Sequence, residues 1–220
     1  MTGTRLKPLT REGLRRVPAS CDTCPLGPGS TIDPESTWVR AAEDEWGQVG
    51  VVAIDQAREP GVDQVMGLLL FCPPLHAPRR GPHQGGGLSP DAAVVLSIRV
   101  GSEYAGSGVG RQLVQAAAAR VARGHGLGSS LVSGRFGPHR LRALEVRGTR
   151  LGGSCALPEV DFLHSCGFEI TRDHPVTPRL RLDLSSTVRW RWSLSSSLER
   201  MADWVRPAPP EPTTRSSRTP

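Results

Sequence analysis

The apolar positions of the chain fall into short continuous runs and into helically spaced groups, and these two patterns predict different elements. Continuous runs at residues 49–54, 65–71 and 93–100 have the length of buried β-strands and are rich in Val, Leu and Ile. A loop with Pro60 and Gly61 separates the first two runs, so we expect them to pair as an antiparallel hairpin. Shorter runs predict further strands at residues 6–9, 141–146, 168–171 and 180–184.

Apolar residues at helical intervals predict the helices. Within residues 34–46, Trp38, Ala41, Ala42 and Trp46 recur every three or four positions. Helices are also predicted at residues 11–16, 108–123, 158–165 and 193–205, and a disordered Pro-rich tail at 206–220. The resulting order mixes antiparallel hairpins with a strand–helix–strand crossover. This predicts a mixed α/β sandwich rather than a doubly wound parallel sheet.

Composition narrows the class of protein. The 220 residues include 25 Gly and 20 Pro, which predicts one domain with much loop. The net charge is +6, but aromatic residues are 5% and do not alternate with the arginines, so we expect no nucleic-acid partner. We expect no membrane partner either, because no apolar run approaches the ~18–20 residues that span a bilayer. The N-terminal residues lack the apolar core of a secretory signal, and five cysteines indicate reduced thiols, so we expect a cytoplasmic protein.

The most informative stretch is a glycine turn between the strand at 93–100 and the helix at 108–123. Gly106, Gly108 and Gly110 stand where that helix opens. Glycine permits positive φ and a close backbone approach, and the first N–H groups of a helix have no intrahelical partner. Because the helix dipole adds positive charge at the same end, the turn predicts a phosphate site.

Two common phosphate motifs do not fit this turn. A Walker A loop needs a lysine directly after its second glycine, whereas Gly106 is followed by Ser107 and Gly108. A Rossmann fingerprint needs G-x-G-x-x-G, whereas the chain runs G-x-G-x-G from Gly106 to Gly110 and continues with Arg111. Both motifs are therefore excluded.

The turn resembles the acetyl-CoA motif of the GNAT N-acetyltransferase family, which is a strand, then Gln/Arg-x-x-Gly-x-Gly/Ala, then a helix. The residues in that frame are Ala105-Gly106-Ser107-Gly108-Val109-Gly110. Residues 65–71 and 93–100 resemble the family's third and fourth strands. Residues 162–170 resemble its helix-to-strand segment before the final hairpin.

The resemblance covers roughly residues 5–185. It implies an α/β fold with a mixed, mostly antiparallel sheet flanked by helices on both faces. We therefore expect a GNAT-type domain at residues 1–185, a strand and helix extension at 186–205, and the tail at 206–220. Insertions relative to the family are expected at residues 72–91 and 134–139.

By this resemblance, acetyl-CoA binds as a cosubstrate in a gap between the strand at 93–100 and the strand at 141–146. The backbone of Ile98, Arg99 and Val100 would pair with the pantetheine arm. The pyrophosphate would be held by the amides of Gly106, Ser107, Gly108, Val109, Gly110 and Arg111. A neutral amine attacks the thioester directly, a backbone N–H steadies the oxyanion, and CoA thiolate leaves, with no metal involved. Ala105 replaces the family's Gln or Arg, so we expect weakened binding.

The sequence indicates the residues that transfer protons less clearly than it indicates the residues that bind the cosubstrate. Many members of the family have a tyrosine at the position of Leu163. Tyr104, the chain's one tyrosine, is predicted to pack beside the glycine turn. The base candidates are Glu145, on the strand beside the gap, and Glu103, which would act through a water. The thiolate would take its proton from water or from His164.

Two other classes of function stay open. The missing tyrosine and Ala105 suggest a CoA-binding module that senses acyl-CoA without turnover. Cys21 and Cys24 have the CxxC spacing of zinc sites, which suggests a thiol or zinc protein. Cys155 is hypothesised to approach that pair near the acceptor site, and the alternative is that all three fill small apolar spaces. The apolar stripe of the helix at 193–205 predicts a partner surface, in this domain or in a homodimer.

Overall fold

The computed structural model describes residues 3–17, 33–55, 64–78, 87–122 and 141–185. The strands in these ranges are β1 (Thr4–Leu9), β2 (Gly50–Asp55), β3 (Gln64–Cys72), β4 (Ala92–Val100), β5 (Ala143–Arg147), β6 (Glu169–Arg172) and β7 (Arg179–Asp183). The helices are α1 (Arg11–Arg16), α2 (Thr37–Trp46), α3 (Val109–Ala122) and α4 (Val160–Ser165), with short 3₁₀ turns at Pro74–His76 and Ser102–Tyr104. The strands form one sheet in the order β1-β2-β3-β4-β5-β7-β6.

Neighbouring strands pair antiparallel except β4 and β5, which are parallel. The hairpin predicted between the first two apolar runs is confirmed as β2 and β3. The parallel pairing is short, because it runs only from Ala92 opposite Ala143 to Val94 opposite Glu145. Beyond Val94, β4 continues along β3, whereas β5 continues along β7, so the sheet forks.

Helices cover both faces of the sheet. One apolar cluster joins α3 and α4 to the central strands and includes Leu113, Ala117 and Leu163. A second cluster joins α1 and α2 to the alternate side chains of β2, β3 and β4, among them Val52 and Leu70. Since side chains alternate along a strand, the two clusters lie on opposite faces. The predicted α/β fold with a mixed, mostly antiparallel sheet is confirmed.

Two helices begin a full two or three residues later than the apolar pattern predicts. The helix predicted at 34–46 begins at Thr37, because Ser36 is the N-cap with an extended backbone, φ −60° and ψ 146°. The helix predicted at 158–165 begins at Val160. An apolar pattern includes the capping turn, because capping residues pack against the helix without sharing its dihedral angles.

Several predictions fall outside the described residues. They concern the helix at 193–205, the tail at 206–220, the insertion at 134–139, and Cys21 and Cys24. The domain limits at residues 185 and 205 likewise stay predictions. Within the part of the chain that the structure describes, no helix combines the length and apolar content that a bilayer crossing requires.

Candidate functional site

The fork between β4 and β5 opens toward the C-terminal ends of both strands. Past the last paired residues, the backbone N–H of Ile98 donates a hydrogen bond of 2.8 Å to the carbonyl oxygen of Cys155. Cys155 belongs to the segment between β5 and α4, so a loop carbonyl fills the place that a strand partner would take. Alternate residues of a strand direct their backbone groups to the same side, and the Val100 amide therefore also faces the fork.

A cavity of about 630 Å³ lies beside the fork, between the starts of α3 and α4. Its walls are the end of β4, the glycine turn with the start of α3, and parts of the chain between Gly153 and Ser165. Most residues predicted to bind the cosubstrate line it together: Ile98, Arg99, Val100, Gly106, Gly108, Val109, Gly110 and Arg111. Ser107 lies in the same turn, where its hydroxyl donates to the carbonyl oxygen of Tyr104.

The glycine turn has a backbone that only glycine adopts easily. Gly106 and Gly108 have φ of 74° and 85°, in the left-handed region. A Cβ added to either residue would meet nothing within 4 Å, so the turn borders open space. The N–H of Gln112 donates to the carbonyl oxygen of Gly108 at 3.1 Å, and the N–H groups of residues 109–111, in the first turn of α3, have no acceptor within the helix. Free N–H donors at the positive end of a helix dipole bind phosphate groups well.

Helix α4 presents Phe162, and not Leu163, to the cavity. Leu163 is fully buried in the apolar cluster under α3, whereas Phe162 lines the cavity wall. The ring lies so close to α3 that a Cβ on Gly110 would be 3.1 Å from two of its carbon atoms. The position where many GNAT members have a tyrosine is therefore a core position here. The helical phase set by Val160 and Leu163 could have indicated Phe162 from the sequence.

Glu145 lies at the fork, on the face of the sheet opposite the cavity. Its neighbours on β5 point into the cluster under α3, so its own side chain points the other way. The carboxylate is 3% exposed and accepts hydrogen bonds from the Ser89 backbone N–H at 3.0 Å and the Ser89 hydroxyl at 3.3 Å. Its Oε1 is 3.5 Å from a guanidinium nitrogen of buried Arg179. Both oxygens are engaged, and the group anchors the segment that leads into β4.

The other residues considered for proton transfer lie around the cavity and not beside Glu145. Glu103 is exposed in the 3₁₀ turn after β4, with its carboxylate folded against Gly101. Tyr104 lines the cavity and packs against the cluster under α3. His164 is exposed, and its Nδ1 lies 2.9 Å from the carbonyl oxygen of Phe168.

The cysteines differ in their surroundings. Cys155 lines the cavity, whereas Cys72 is buried in the cluster on the other face. Burial, and after it the charge of Glu45, raises the pKa of Cys72 far above its usual value, and burial also raises the pKa of Cys166. Because Cys21 and Cys24 are not described, their cluster with Cys155 stays a prediction. No three His, Cys, Asp or Glu side chains of the described ranges are placed to hold a metal ion.

No protein-family profile and no curated protein matches the sequence. The structure is similar to Arabidopsis thaliana NAA60, solved in complex with acetyl-CoA, with a TM-score of 0.50 and 13% identity over 82% of this chain and 99% of that chain. Ard1 from Thermoplasma volcanium matches with a TM-score of 0.48 and 12% identity, over 82% and 97% of the two chains. A GNAT family N-acetyltransferase from Escherichia coli, YhbS in complex with CoA, matches with a TM-score of 0.42 and 19% identity, over 83% of this chain and 81% of that chain. The chain has the fold of the GNAT N-acetyltransferases.

Proposed function

We propose that this protein is an acetyl-CoA-dependent N-acetyltransferase, which transfers the acetyl group to an amine by direct attack in a ternary complex. The observation that carries the proposal is the glycine turn, because left-handed Gly106 and Gly108 border the cavity of about 630 Å³ at the β4–β5 fork. NAA60, which shares the fold, was solved with acetyl-CoA. That likeness supports the same cosubstrate here.

The cavity walls offer the groups that acetyl-CoA requires. The amides of Gly106 and of residues 108–111 are donors at the positive end of α3 for the pyrophosphate, whereas the Ser107 amide donates to the carbonyl oxygen of Tyr104 at 3.2 Å. The fork-facing carbonyl oxygen of Ile98 and the backbone groups of Val100 can pair with the amides of the pantetheine arm, as an added strand does at a sheet edge, which leaves the Ile98 N–H for the thioester oxygen. Ala105 has no polar side chain, so the phosphates depend on backbone amides and on the Arg111 guanidinium.

Bound acetyl-CoA would supply the thioester carbon that the amine attacks. The Ile98 amide is the donor we assign to the developing oxyanion, because it faces the fork and is fixed by the strand before the reaction begins. The electron pair of the broken C–S bond leaves with the thiolate. Since neither Phe162 nor Leu163 has a hydroxyl, we assign the final proton to water or to His164.

The base that deprotonates the ammonium is proposed to be Glu145 or Glu103. Glu145→Gln and Glu103→Gln keep the shape of each side chain and remove its basicity. We expect the base's variant to lose ~10²–10⁴-fold in kcat and the acidic limb of the pH–rate profile. A carboxylate with a purely structural role lowers the melting temperature and leaves that pH profile unchanged.

Direct binding and turnover test the function. We expect acetyl-CoA to bind the full chain in titration calorimetry, and free CoA to bind more weakly. With a panel of amines, free CoA thiol should be released continuously when an accepted amine is present. Binding without thiol release for any amine would favour the acyl-CoA-sensing module, and absence of binding would overturn both.

Acetyl-CoA should displace the Cys155 carbonyl from the Ile98 amide. The Cys155 carbonyl oxygen and an oxygen of acetyl-CoA compete for this amide, because a backbone amide has only one N–H to donate. We expect acetyl-CoA to shift the amide resonance of Ile98 in an NMR titration. Adenosine 3′,5′-bisphosphate, which lacks the pantetheine arm, should shift the glycine-turn resonances and leave Ile98 unchanged. Equal effects of both ligands at Ile98 would contradict the assignment.

A further inference from the structure

Among the described residues, Glu159 contributes the one carboxylate in the wall of the cavity at the fork. Glu145 and Glu103, the base candidates named above, do not line this cavity. The carboxylate of Glu145 points to the opposite face of the sheet, where it accepts hydrogen bonds from Ser89. A general base has to reach the proton of the bound amine within hydrogen-bond distance or through one water. Glu159 therefore meets the geometric requirement better than the other two carboxylates.

The backbone of Glu159 is fixed where the loop between β5 and α4 closes. Glu159 forms a parallel bridge with Thr149, at the other end of the loop. The Thr149 N–H donates to the carbonyl oxygen of Pro158 at 2.9 Å, and the Val160 N–H donates to the carbonyl oxygen of Thr149 at 3.0 Å. These bonds hold the two ends of the loop together and give Glu159 a defined place at the cavity before any ligand binds.

The side chain of Glu159 lies across the backbone of Gly153. Its Oε1 accepts a hydrogen bond of 3.1 Å from the Gly153 N–H. A Cβ added to Gly153 would be 2.7 Å from the Cγ of Glu159, so the absence of a side chain at residue 153 makes room for this arrangement. Glu159 is exposed, and a carboxylate accepts about four hydrogen bonds. The group can therefore bind an ammonium from the cavity while it keeps its bond to Gly153.

The same loop reaches the backbone amide that we assign to the oxyanion. Cys155 precedes Glu159 in this loop, and its carbonyl oxygen lies 2.8 Å from the backbone nitrogen of Ile98. The turn around Cys155 is closed by Ser154 and Leu157, each of which donates its N–H to the carbonyl oxygen of the other, at 2.9 and 3.2 Å. The wall that holds Glu159 thus borders the place where the thioester would lie.

The remaining charged or titratable groups in the cavity wall do not suit an ammonium. Arg111 lies at the start of α3, and Arg99 lies near the end of β4. Guanidinium groups bind phosphate oxygens and repel a cationic amine. Tyr104 and Cys155 complete the set with a hydroxyl and a thiol. Glu159 is therefore the group in this wall that attracts a positively charged acceptor.

We propose that Glu159, in place of Glu145 or Glu103, binds the ammonium group of the acceptor and takes its proton, directly or through one water. The inference rests on the proposed acetyltransferase function and changes only the identity of the base. One proton passes from the nitrogen to the carboxylate and then to solvent, and the neutral amine attacks the thioester carbon. The C–N bond forms, and the electron pair of the C–S bond leaves with the thiolate. The second proton lost by the nitrogen balances the proton that the thiolate takes up.

Glu159→Gln tests this role, because glutamine can still accept the Gly153 N–H bond but is not a base. With an accepted amine, we expect kcat to fall ~10²–10⁴-fold near neutral pH, with the KM for acetyl-CoA unchanged. The loss should shrink as the pH rises, because more of the amine is then neutral in solution. Asp161→Asn is the matched control, since it removes an exposed carboxylate from the first turn of α4. It should leave both kcat and its pH dependence unchanged.

Gly153→Ala moves the carboxylate without removing it. The added methyl group would clash with the Glu159 side chain and displace it from its place at the cavity. We expect a fall in kcat that depends on pH as it does in Glu159→Gln. The double variant Gly153→Ala/Glu159→Gln should be no slower than Glu159→Gln alone, because both changes act on the same group. Additive losses would show that residue 153 acts on the rate by another route and would contradict the placement of the base.

A further test needs no turnover. The Gly153 amide reports on Glu159, because its N–H donates to Oε1. With saturating CoA and constant ionic strength, propylammonium chloride should shift the Gly153 amide resonance saturably in the wild type and in Asp161→Asn, and not in Glu159→Gln. The inference is overturned by equal shifts in all three proteins, by no saturable shift in the wild type, or by a loss of kcat in Glu159→Gln that is the same at every pH.

These outcomes separate the base from the wider function. If acetyl-CoA binds and an amine releases thiol while Glu159→Gln behaves as the wild type, the acetyltransferase proposal stands and only Glu159 is rejected as its base. If propylammonium shifts the Gly153 resonance through Glu159 but no amine releases thiol, the proton transfer is rejected together with the acetyltransferase proposal.

Discussion

Gly108→Val is expected to weaken acetyl-CoA binding by about 30-fold or more, equivalent to ~2 kcal/mol. At φ of 85°, valine is strained by roughly 1–3 kcal/mol, and its Cβ would stand in the open space that the turn borders. If the turn relaxes to relieve the strain, its amides lose their alignment. If it does not relax, the side chain blocks the approach of the pyrophosphate. Titration calorimetry with acetyl-CoA measures the loss.

Gly47→Val is the matched control for this variant. Gly47 ends α2 with φ of 66°, and an added Cβ there also meets nothing within 4 Å. The two substitutions therefore introduce similar backbone strain at two helix ends, and only one of these ends borders the cavity. We expect Gly47→Val to lower the melting temperature as much as Gly108→Val does. Its affinity for acetyl-CoA should stay that of the wild type. Unchanged affinity in Gly108→Val, or equal losses of affinity in both variants, would show that the glycine turn does not bind acetyl-CoA.

The parts of this site that follow one another in the chain could be predicted from the sequence. β4, the glycine turn and α3 form one continuous stretch, and each has a local signal: an apolar run, three closely spaced glycines and an alanine-rich helical pattern. Residue type permits the left-handed conformation of Gly106 and Gly108 without determining it, since Gly110 in the same stretch is helical. The order of the seven strands along the chain could be predicted too, whereas the fork beside this stretch was implied by the GNAT resemblance.

Contacts between distant parts of the chain could not be predicted in this way. The strand position of Glu145 makes it a base candidate, but it does not show that Ser89 and Arg179 bind its carboxylate from 56 and 34 positions away along the chain. The Cys155 carbonyl on the Ile98 amide depends on how a loop without periodicity closes over the fork. The pairing of Arg147 with Arg179 across β5 and β7 likewise depends on register, because a shift of one residue would turn one of these side chains to the other face. The apolar pattern of the sequence identifies the strands and helices, whereas the pairing of the strands decides which polar side chains lie together.

Glu145→Ala is expected to lower the free energy of unfolding by ~3 kcal/mol. Glu145 and Arg179 are 3% and 8% exposed in their side chains, and Oε1 lies 3.5 Å from the guanidinium. Removing one partner of a buried ion pair leaves the other charge without compensation, which costs about 3–5 kcal/mol. The Ser89 amide also loses its acceptor. Urea unfolding followed by circular dichroism measures the change.

Two further variants decide whether this loss comes from the buried pair. Glu169→Ala removes a carboxylate from the exposed strand β6, opposite Arg181 on β7, and should change stability by less than ~0.5 kcal/mol. Glu145→Leu combined with Arg179→Leu removes both charges, and because an apolar pair needs no compensation we expect it to recover much of the loss. If the double variant loses more free energy of unfolding than Glu145→Leu and Arg179→Leu lose together, the ion pair is not what holds Ser89. The segment before β4 would then be anchored by Arg181, which lies opposite Glu145 and donates two hydrogen bonds to Asp91.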